Sequence, residues 1–206
     1  MNDLEILIPT VAAMEPHLRH CLAGLAANTG IRSFQVIGLA LDAQILSPFR
    51  ASELQWTVWD YEGHTSAEAV LDAIERTQGV YVALLPPTHA IADKAWFSKL
   101  QLPFLRTPNC GMVVADELLP ASSAAQPYQV IPRGEMPGQL VMAPRQTLSA
   151  IRRAAAHPAP AYADALLRAA TSLGLATWAV PGIRIDVAHP VAEAARQESP
   201  DAGSAG

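Results

Sequence analysis

The polar residues best placed for chemistry lie directly after predicted strands. Thr10 follows the first apolar run, and Thr88 and His89 follow a later run that ends at Leu85. In doubly wound sheets, ligands bind beyond the carboxyl ends of the strands, so these are the informative positions. The Thr10 hydroxyl can contact a nucleotide base or cap the next helix, and we favour the cap.

Other candidate residues lie on predicted helices and on a strand. Asp164 and Arg168 are spaced i, i+4, and we favour a helix-surface ion pair over substrate contact. Tryptophans can stack on a sugar, but Trp56 and Trp59 fall on opposite faces of one strand, so at least one belongs to the core.

Several well-known site motifs are absent. The residues after Ile8 read Pro-Thr-Val-Ala-Ala-Met, which excludes the GxGxxG turn of a dinucleotide fold and the GxxxxGK of a P-loop. No GxSxG nucleophile elbow occurs. Cys21 and Cys110 lie far apart without a CxxC, so we expect core thiols and neither a disulfide framework nor a zinc knuckle.

Composition and charge argue against two further classes of protein, those that bind nucleic acid and those that span a membrane. The chain has 206 residues, is 50% hydrophobic and carries a net charge of -5 with scattered basic residues, so we expect no nucleic-acid binding. No apolar run reaches the roughly eighteen residues of a membrane span. The acidic start, Met-Asn-Asp-Leu-Glu, is unlike a secretory signal, and we expect a cytoplasmic protein.

The first half of the chain alternates strands with helices. Apolar runs predict strands over 4–8, 35–41, 54–59 and 80–85, and Leu18, Cys21, Leu22 and Leu25 form one stripe of a first helix. Thr65 to Glu68 form a capping box for a second helix, which Gly79 ends. This alternation predicts an α/β protein with a Rossmann-like, mostly parallel sheet and helices on both faces.

The second half is less regular. A helix from Asp93 to Leu100, a strand near 111–114 and two helices over 146–156 and 162–173 are predicted between Pro-rich and Gly-rich loops. Beyond residue 190 the sequence becomes rich in Ala, Glu, Ser, Pro and Gly. We therefore expect a single domain over 1–190 and a flexible C-terminal tail over 191–206.

Short motifs occur in an order typical of one enzyme family. The first strand ends in Ile8-Pro9-Thr10, the next helix contains Leu-x-x-Cys-Leu at 18–22, and Gly63 precedes the second helix. Gly-x-Tyr-Val at 79–82 and the helix around Asp164 follow in turn. Over residues 4–190 this series resembles glycosyltransferase family 2, which implies a GT-A-like fold.

The resemblance also implies a nucleotide-sugar donor and carboxylates that this chain lacks. The family's Asp-x-Asp metal motif falls on Pro86-Pro87-Thr88, which offers no carboxylate to a hard cation. The acidic pair that supplies the general base falls on Ala161-Tyr162, and the carboxylate near the uracil falls near Ala40, with Asp42 as a stand-in. We therefore expect a degenerate member with no metal and no cofactor.

Under this resemblance His89 and His189 face the ligand. Imidazoles can bind zinc or manganese, but we favour a satisfied or solvent-exposed histidine at each position. The full set of substrate-binding candidates is Thr10, Asp42, Gly63, Thr88, His89, Asp164, Arg168 and His189.

Two functions from different classes stay open. A third possibility is a doubly wound binding protein that is unrelated to this family. The favoured one is a catalytically silent module, used for binding or assembly with a protein partner or a second copy. The other is a glycosyltransferase that binds its nucleotide sugar without a metal. That enzyme would need cations around the diphosphate, for which Arg145, Arg168 and Arg184 are the candidates.

Overall fold

The computed structural model describes residues 3–11, 14–27, 34–41, 56–116, 129–130, 140–155 and 162–187. The strands are β1 (Leu4–Thr10), β2 (Phe34–Ala40), β3 (Trp56–Asp60), β4 (Tyr81–Leu84), β5 (His89–Ile91), β6 (Cys110–Asp116), β7 (Gln129–Val130), β8 (Val141–Pro144), β9 (Ala176–Pro181) and β10 (Ile185–Val187). The helices are α1 (Glu15–Ala26), α2 (Ser66–Arg76), α3 (Trp96–Arg106), α4 (Arg145–Ala154) and α5 (Tyr162–Ser172). None of these helices has the length and apolar character needed to cross a bilayer.

Eight strands form one sheet in the order β3-β2-β1-β4-β8-β6-β9-β7. The pairs β1–β2, β2–β3, β1–β4 and β6–β9 are parallel, whereas β8 is antiparallel to both β4 and β6, and β7 is antiparallel to β9. The predicted α/β fold, with a mostly parallel sheet and helices on both faces, is confirmed.

The parallel strands define two edges of the sheet. At the carboxyl edge β1, β2, β3 and β4 end, at Thr10, Ala40, Asp60 and Leu84, and at the opposite amino edge the same strands begin. Neighbouring ends are joined by backbone hydrogen bonds, such as Leu41 N–H to Thr10 C=O (3.0 Å) and Tyr61 N–H to Ala40 C=O (2.8 Å). Residues that follow these strands therefore meet at one edge.

The antiparallel strand β8 reverses the course of the chain. It starts opposite Leu84 at the carboxyl edge and ends opposite Tyr81 at the amino edge. Helix α4 consequently begins at the amino edge, where the Arg145 N–H donates to the Val80 carbonyl (3.0 Å). Helix α5 then returns from the carboxyl edge, because the strand that follows it, β9, starts at the amino edge beside Cys110.

Apolar side chains fill a separate core on each face of the sheet. On one face the stripe of α1 predicted from sequence, with Trp96 and Leu100 of α3, packs against β1 and β6. On the other face α2, α4 and α5 bury their apolar sides against the same strands. Trp56 packs against the first core and Trp59 against the second, as their spacing predicted.

Helix α2 begins at the predicted capping box. The Thr65 hydroxyl accepts from Glu68 N–H (3.3 Å), and the Glu68 carboxylate accepts from Thr65 N–H (2.9 Å). Both bonds satisfy backbone donors that a helix start leaves open. Val70, Leu71 and Ile74 form the buried face, as expected.

A two-stranded ribbon beside the sheet was not predicted. β5 and β10 pair antiparallel, with His89 opposite Val187 and Ile91 opposite Ile185. The ribbon packs on α1 at Gly24, where an added Cβ would lie 3.1 Å from the Ile91 carbonyl oxygen. Any larger residue at this crossing would require the ribbon to shift by a few tenths of an ångström.

Helix α3 begins later than predicted. Asp93 does not cap it: its carboxylate accepts from Ala95 N–H (2.8 Å) in a turn, and the helix starts at Trp96 and continues through Pro103 to Arg106. The predicted tail over 191–206 lies outside the described residues.

Candidate functional site

Thr10 closes the end of β1 instead of capping α1. Its hydroxyl donates to the Leu39 carbonyl (3.1 Å), and its residue is 1% exposed. Helix α1 has Met14 at its N-cap and no side-chain cap bond. The predicted cap is wrong because Thr10 is still part of the strand, well before the first helical turn. Its hydroxyl instead fastens β1 to β2 at the carboxyl edge.

The turn between β4 and β5 occupies the same edge. It consists of Pro86, Pro87 and Thr88, and the Pro86 carbonyl accepts from His89 N–H (3.0 Å). The Thr88 hydroxyl lies 2.9 Å from Nδ1 of His89, whose side chain is buried. The histidine is thus hydrogen-bonded within the fold, which agrees with the satisfied histidine favoured from sequence.

Carboxylates near this edge are engaged in local hydrogen bonds. Asp60 accepts from Glu62 N–H (3.0 Å), Glu68 closes the capping box, and Asp72 accepts from the Tyr61 hydroxyl (2.7 Å). Across the part of the chain that the structure describes, no three His, Cys, Asp or Glu side chains are grouped to hold a metal ion. Divalent cations prefer several oxygen ligands, and the described part of this edge has no such group of carboxylates.

Gly63 lies in the turn after β3, at the same edge as Thr10. Its φ of +81° is in the region that glycine adopts readily, and the residue is exposed. Because β2 lies between β3 and β1, the turn is roughly 10 Å from the end of β1. Gly63 and Thr10 therefore share an edge without being neighbours.

A polar and aromatic cluster between β3 and α2 was not recognised in the sequence. Arg76 donates to the Tyr61 hydroxyl (3.2 Å), and its guanidinium carbon lies 4.3 Å from the centre of the Trp59 ring. Tyr61 in turn donates to Asp72. The i, i+4 spacing of Asp72 and Arg76 is the one sequence signal that could have indicated it. The cluster pins α2 to β3.

The start of α5 faces the carboxyl edge, where the resemblance places a catalytic acid pair. Tyr162 is the first residue of α5, and burial raises the pKa of its phenol to about 12. A phenol with this pKa stays protonated near neutral pH and cannot act as a general base there.

Asp164 and Arg168 share α5 but do not form the predicted ion pair. The ion pairs seen in the described ranges include Lys99–Asp93, Arg152–Glu75 and Arg184–Asp186, but Asp164 and Arg168 do not pair with each other. Asp164 lies in the first turn of α5, close to the carboxyl edge, whereas Arg168 is further along and exposed. The i, i+4 spacing is compatible with an ion pair, but the two side chains do not form one.

Comparisons with known proteins identify the fold. No protein-family model matches the sequence. No curated protein matches it either. Among solved structures, a mannosyltransferase from Pyrobaculum calidifontis in complex with GDP-Man and Mn²⁺ aligns with a TM-score of 0.68 at 15% identity, over 93% of this chain and 58% of that one. The fold is GT-A-like.

Two further neighbours widen the functional range of this fold. Glucosyl-3-phosphoglycerate synthase from Mycobacterium tuberculosis, solved with Mn²⁺ and UDP, has a TM-score of 0.61 at 15% identity, over 91% of this chain and 72% of that one. CMP:2-keto-3-deoxy-manno-octonic acid synthetase with CTP has a TM-score of 0.60 at 12% identity, over 89% of this chain and 91% of that one. At these identities the likeness concerns the fold alone. Compared with the mannosyltransferase, the chain spans little more than half the length.

Within this GT-A-like sheet, the three candidate cations for a diphosphate do not converge. Arg145 starts α4 at the amino edge, Arg168 is exposed along α5, and Arg184 is exposed beside Asp186, with 3.5 Å between its Nε and the carboxylate. Only Arg184 follows a strand that ends at the carboxyl edge.

The GT-A-like fold thus brings Thr10, Gly63, Thr88 and His89 to one edge, with Asp164 near it. Arg168 is not part of that group. Asp42 and His189 lie outside the described residues.

Proposed function

We propose that this protein is a catalytically silent GT-A-like module, which binds a ligand or a partner within a larger assembly. The turn from Pro86 to Thr88 is the observation that carries the proposal. It stands at the carboxyl end of β4, where the resemblance expects two metal-binding carboxylates, and its polar atoms bond to His89 within the turn.

The start of α5 supports the same function. Metal-dependent transfer needs a base that takes a proton from the acceptor hydroxyl. Tyr162 stands where that base is expected, and burial holds its pKa at about 12. Neither Pro86-Pro87-Thr88 nor Tyr162 therefore supplies the carboxylate that the resemblance expects at its position.

A metal-independent glycosyltransferase is the competing function. It would have to balance the diphosphate charge with arginine or lysine side chains. Of the three candidates, Arg145 lies at the amino edge and Arg168 is exposed along α5. Arg184 alone follows a strand that ends at the carboxyl edge, and its charge is offset by Asp186. This distribution favours the silent module over the enzyme.

Calorimetric titration of the full chain tests the proposal. We expect no tight binding of manganese or magnesium, and no metal-dependent release of a nucleoside diphosphate from UDP-sugars or GDP-sugars. Micromolar manganese binding, or steady diphosphate release with or without metal, would overturn it. A parallel thermal-shift series with UDP, GDP and CMP identifies any nucleotide that the module retains as a ligand.

A restored motif sharpens the test. Pro86→Asp combined with Thr88→Asp places two carboxylates after β4, and we expect this double variant to bind manganese more tightly than the natural chain. Pro108→Asp, in the exposed turn before β6 at the amino edge, is the matched control and should not. If the natural chain and the control bind manganese as tightly as the double variant, the site does not depend on these positions and the proposal fails.

A further inference from the structure

Strand β3 forms one edge of the eight-stranded sheet. In the described part of the chain it pairs with β2 alone, in parallel from Trp56 to Asp60. The side chains of Thr57, Val58 and Trp59 are half-buried, in contrast to the fully buried centre of β2. An edge strand offers a row of backbone donors and acceptors that another strand can use.

The backbone of Val58 points away from β2. The Tyr61 N–H donates to Ala40 of β2 (2.8 Å), which fixes the direction of the polar groups in this part of the chain. In an extended chain the N–H and C=O of one residue point to the same side, and alternate residues point to opposite sides. Trp59 therefore faces β2, whereas Val58 directs both groups outward.

The centre of this short edge strand lacks three of the features that usually prevent strand pairing. Protected edges carry lysine, proline or a bulge, and positions 57–59 read Thr-Val-Trp in regular register with β2. The charges of α2 that flank the strand are already paired, because Tyr61 links Asp72 to Arg76. Positions 57–59 are thus uncharged and rich in residues that favour strands, and the exposed Asp60 ends the strand.

We propose that two copies of this chain pair antiparallel through β3, about a two-fold axis at Val58, so that the sheet continues across the dimer. Val58 would then exchange two backbone hydrogen bonds with Val58 of the other copy. Thr57 would face Trp59 of the other copy, and such pairs of aromatic and β-branched residues stabilise sheets. The dimer deepens the proposed assembly role by naming a second copy as the partner.

A second copy is the occupant that this edge fits best, because the arrangement is self-complementary. In a two-fold interface each residue meets its own counterpart or a reciprocal partner. A small apolar residue at the centre, with Thr57 and Trp59 on either side of it, satisfies that condition without placing like charges opposite one another.

Cysteine cross-linking tests the register directly. Paired strands bring opposite Cα atoms to about 5.5 Å, which suits a disulfide. We therefore expect Val58→Cys to form a disulfide-linked dimer under mild oxidation. Cys21 and Cys110 are buried, and burial raises the pKa of each thiol to about 12, so they should not compete. Val80→Cys, at a half-exposed valine of the amino edge, is the matched control and should stay monomeric on non-reducing gels.

Light scattering after size exclusion tests the natural dimer. We expect a mass of twice the 21.9 kDa chain, and a single-chain mass for Val58→Lys, because two lysines would face each other at the axis. Val80→Lys is the control for added charge and should remain dimeric. Circular dichroism and thermal unfolding establish that both variants are folded.

A monomer at the highest attainable concentration, or a cross-link from Val80→Cys but none from Val58→Cys, would overturn the β3 dimer. Either result leaves the metal and nucleotide titrations unaffected, so failure of the dimer and failure of the silent-module function can be told apart.

Discussion

The indole of Trp56 lies directly over Gly38 of the neighbouring strand. A Cβ added to Gly38 would lie 2.5 Å from both Cζ2 and Cη2 of the ring, closer than carbon atoms can approach. Trp56 is partly buried and packs against the core that contains α1 and α3, so moving its ring would break those contacts. The bare backbone of β2 is therefore what allows a tryptophan at the start of β3.

This contact predicts a steric penalty at position 38. Gly38→Ala should lower the free energy of unfolding by roughly 1–3 kcal/mol, the range for overpacked cores. Urea denaturation measures the change. In a double-mutant cycle, Trp56→Leu should remove most of the penalty, and additive effects of the two substitutions would show that the ring is not its source.

Thr10 provides a second prediction, at the end of β1. Thr10→Val keeps the shape of the side chain but removes the donor to the Leu39 carbonyl, so we expect a loss of about 1 kcal/mol in unfolding free energy. Thr10→Ser retains the hydroxyl and should lose less of the hydrogen-bond contribution. Equal unfolding midpoints for the natural chain and the valine variant would show that the hydrogen bond contributes nothing.

Lys99 joins α3 to the turn after β9. Its ammonium group donates to the Asp93 carboxylate (2.5 Å) and to the Gly182 carbonyl (2.9 Å). Lys99→Met should reduce global stability by only about 0.5–1 kcal/mol, because the lysine is partly exposed. Its main effect should be local. In hydrogen exchange, the Ala92 amide, which bonds to the Arg184 carbonyl, should exchange faster.

The exposed neighbour Lys94 provides the control for this prediction. Lys94→Met removes the same charge without the two bonds, and should leave Ala92 protected. If both variants accelerate exchange of the Ala92 amide equally, the effect arises from the change in net charge and not from the two hydrogen bonds of Lys99.

Buried thiols predict a loss of stability in alkali. Burial raises the pKa of Cys21 from 9.0 in the unfolded chain to about 12 in the fold, and Cys110 behaves alike. Above pH 9.0 the unfolded chain releases these protons and the fold retains them, so their contribution to stability declines as pH rises from there toward 12. Urea midpoints at about pH 7 and about pH 10 should show the decline.

Cys21→Ala should make this decline of the unfolding free energy with pH shallower.

The fold keeps both thiols from reacting with a thiol reagent until it unfolds, so labelling of the natural chain near neutral pH should follow global unfolding. Rapid labelling of both cysteines in the native state would contradict the burial of the two thiols.

Much of the sheet could be predicted from sequence because its signals are local. The apolar runs of β1, β2, β3 and β4 and the capping box at Thr65 depend on neighbouring residues, and the structure has each within two residues of the expected bounds. The αL glycine that ends α5, Gly174 at φ +72°, follows from the same kind of signal.

The missed features depend on contacts between distant residues. The ribbon of β5 and β10 has three residues per strand, too few to show a period. The direction of β8 is not encoded in its apolar run, and that direction moves Arg145 to the amino edge. The role of Thr10 likewise depended on where the strand stopped, which sequence patterns locate poorly.

The two prolines after β4 bear on how this edge could evolve. Each ring fixes φ in the unfolded chain as well as in the fold, so the turn loses less entropy on folding than a flexible one. Replacing Pro86 by a carboxylate would forfeit roughly 0.4–1 kcal/mol of that advantage. A single carboxylate holds a divalent ion poorly, so Pro86→Asp alone would lower stability without creating a metal site. A metal site at this edge would therefore require two carboxylates together with the loss of one stabilising proline.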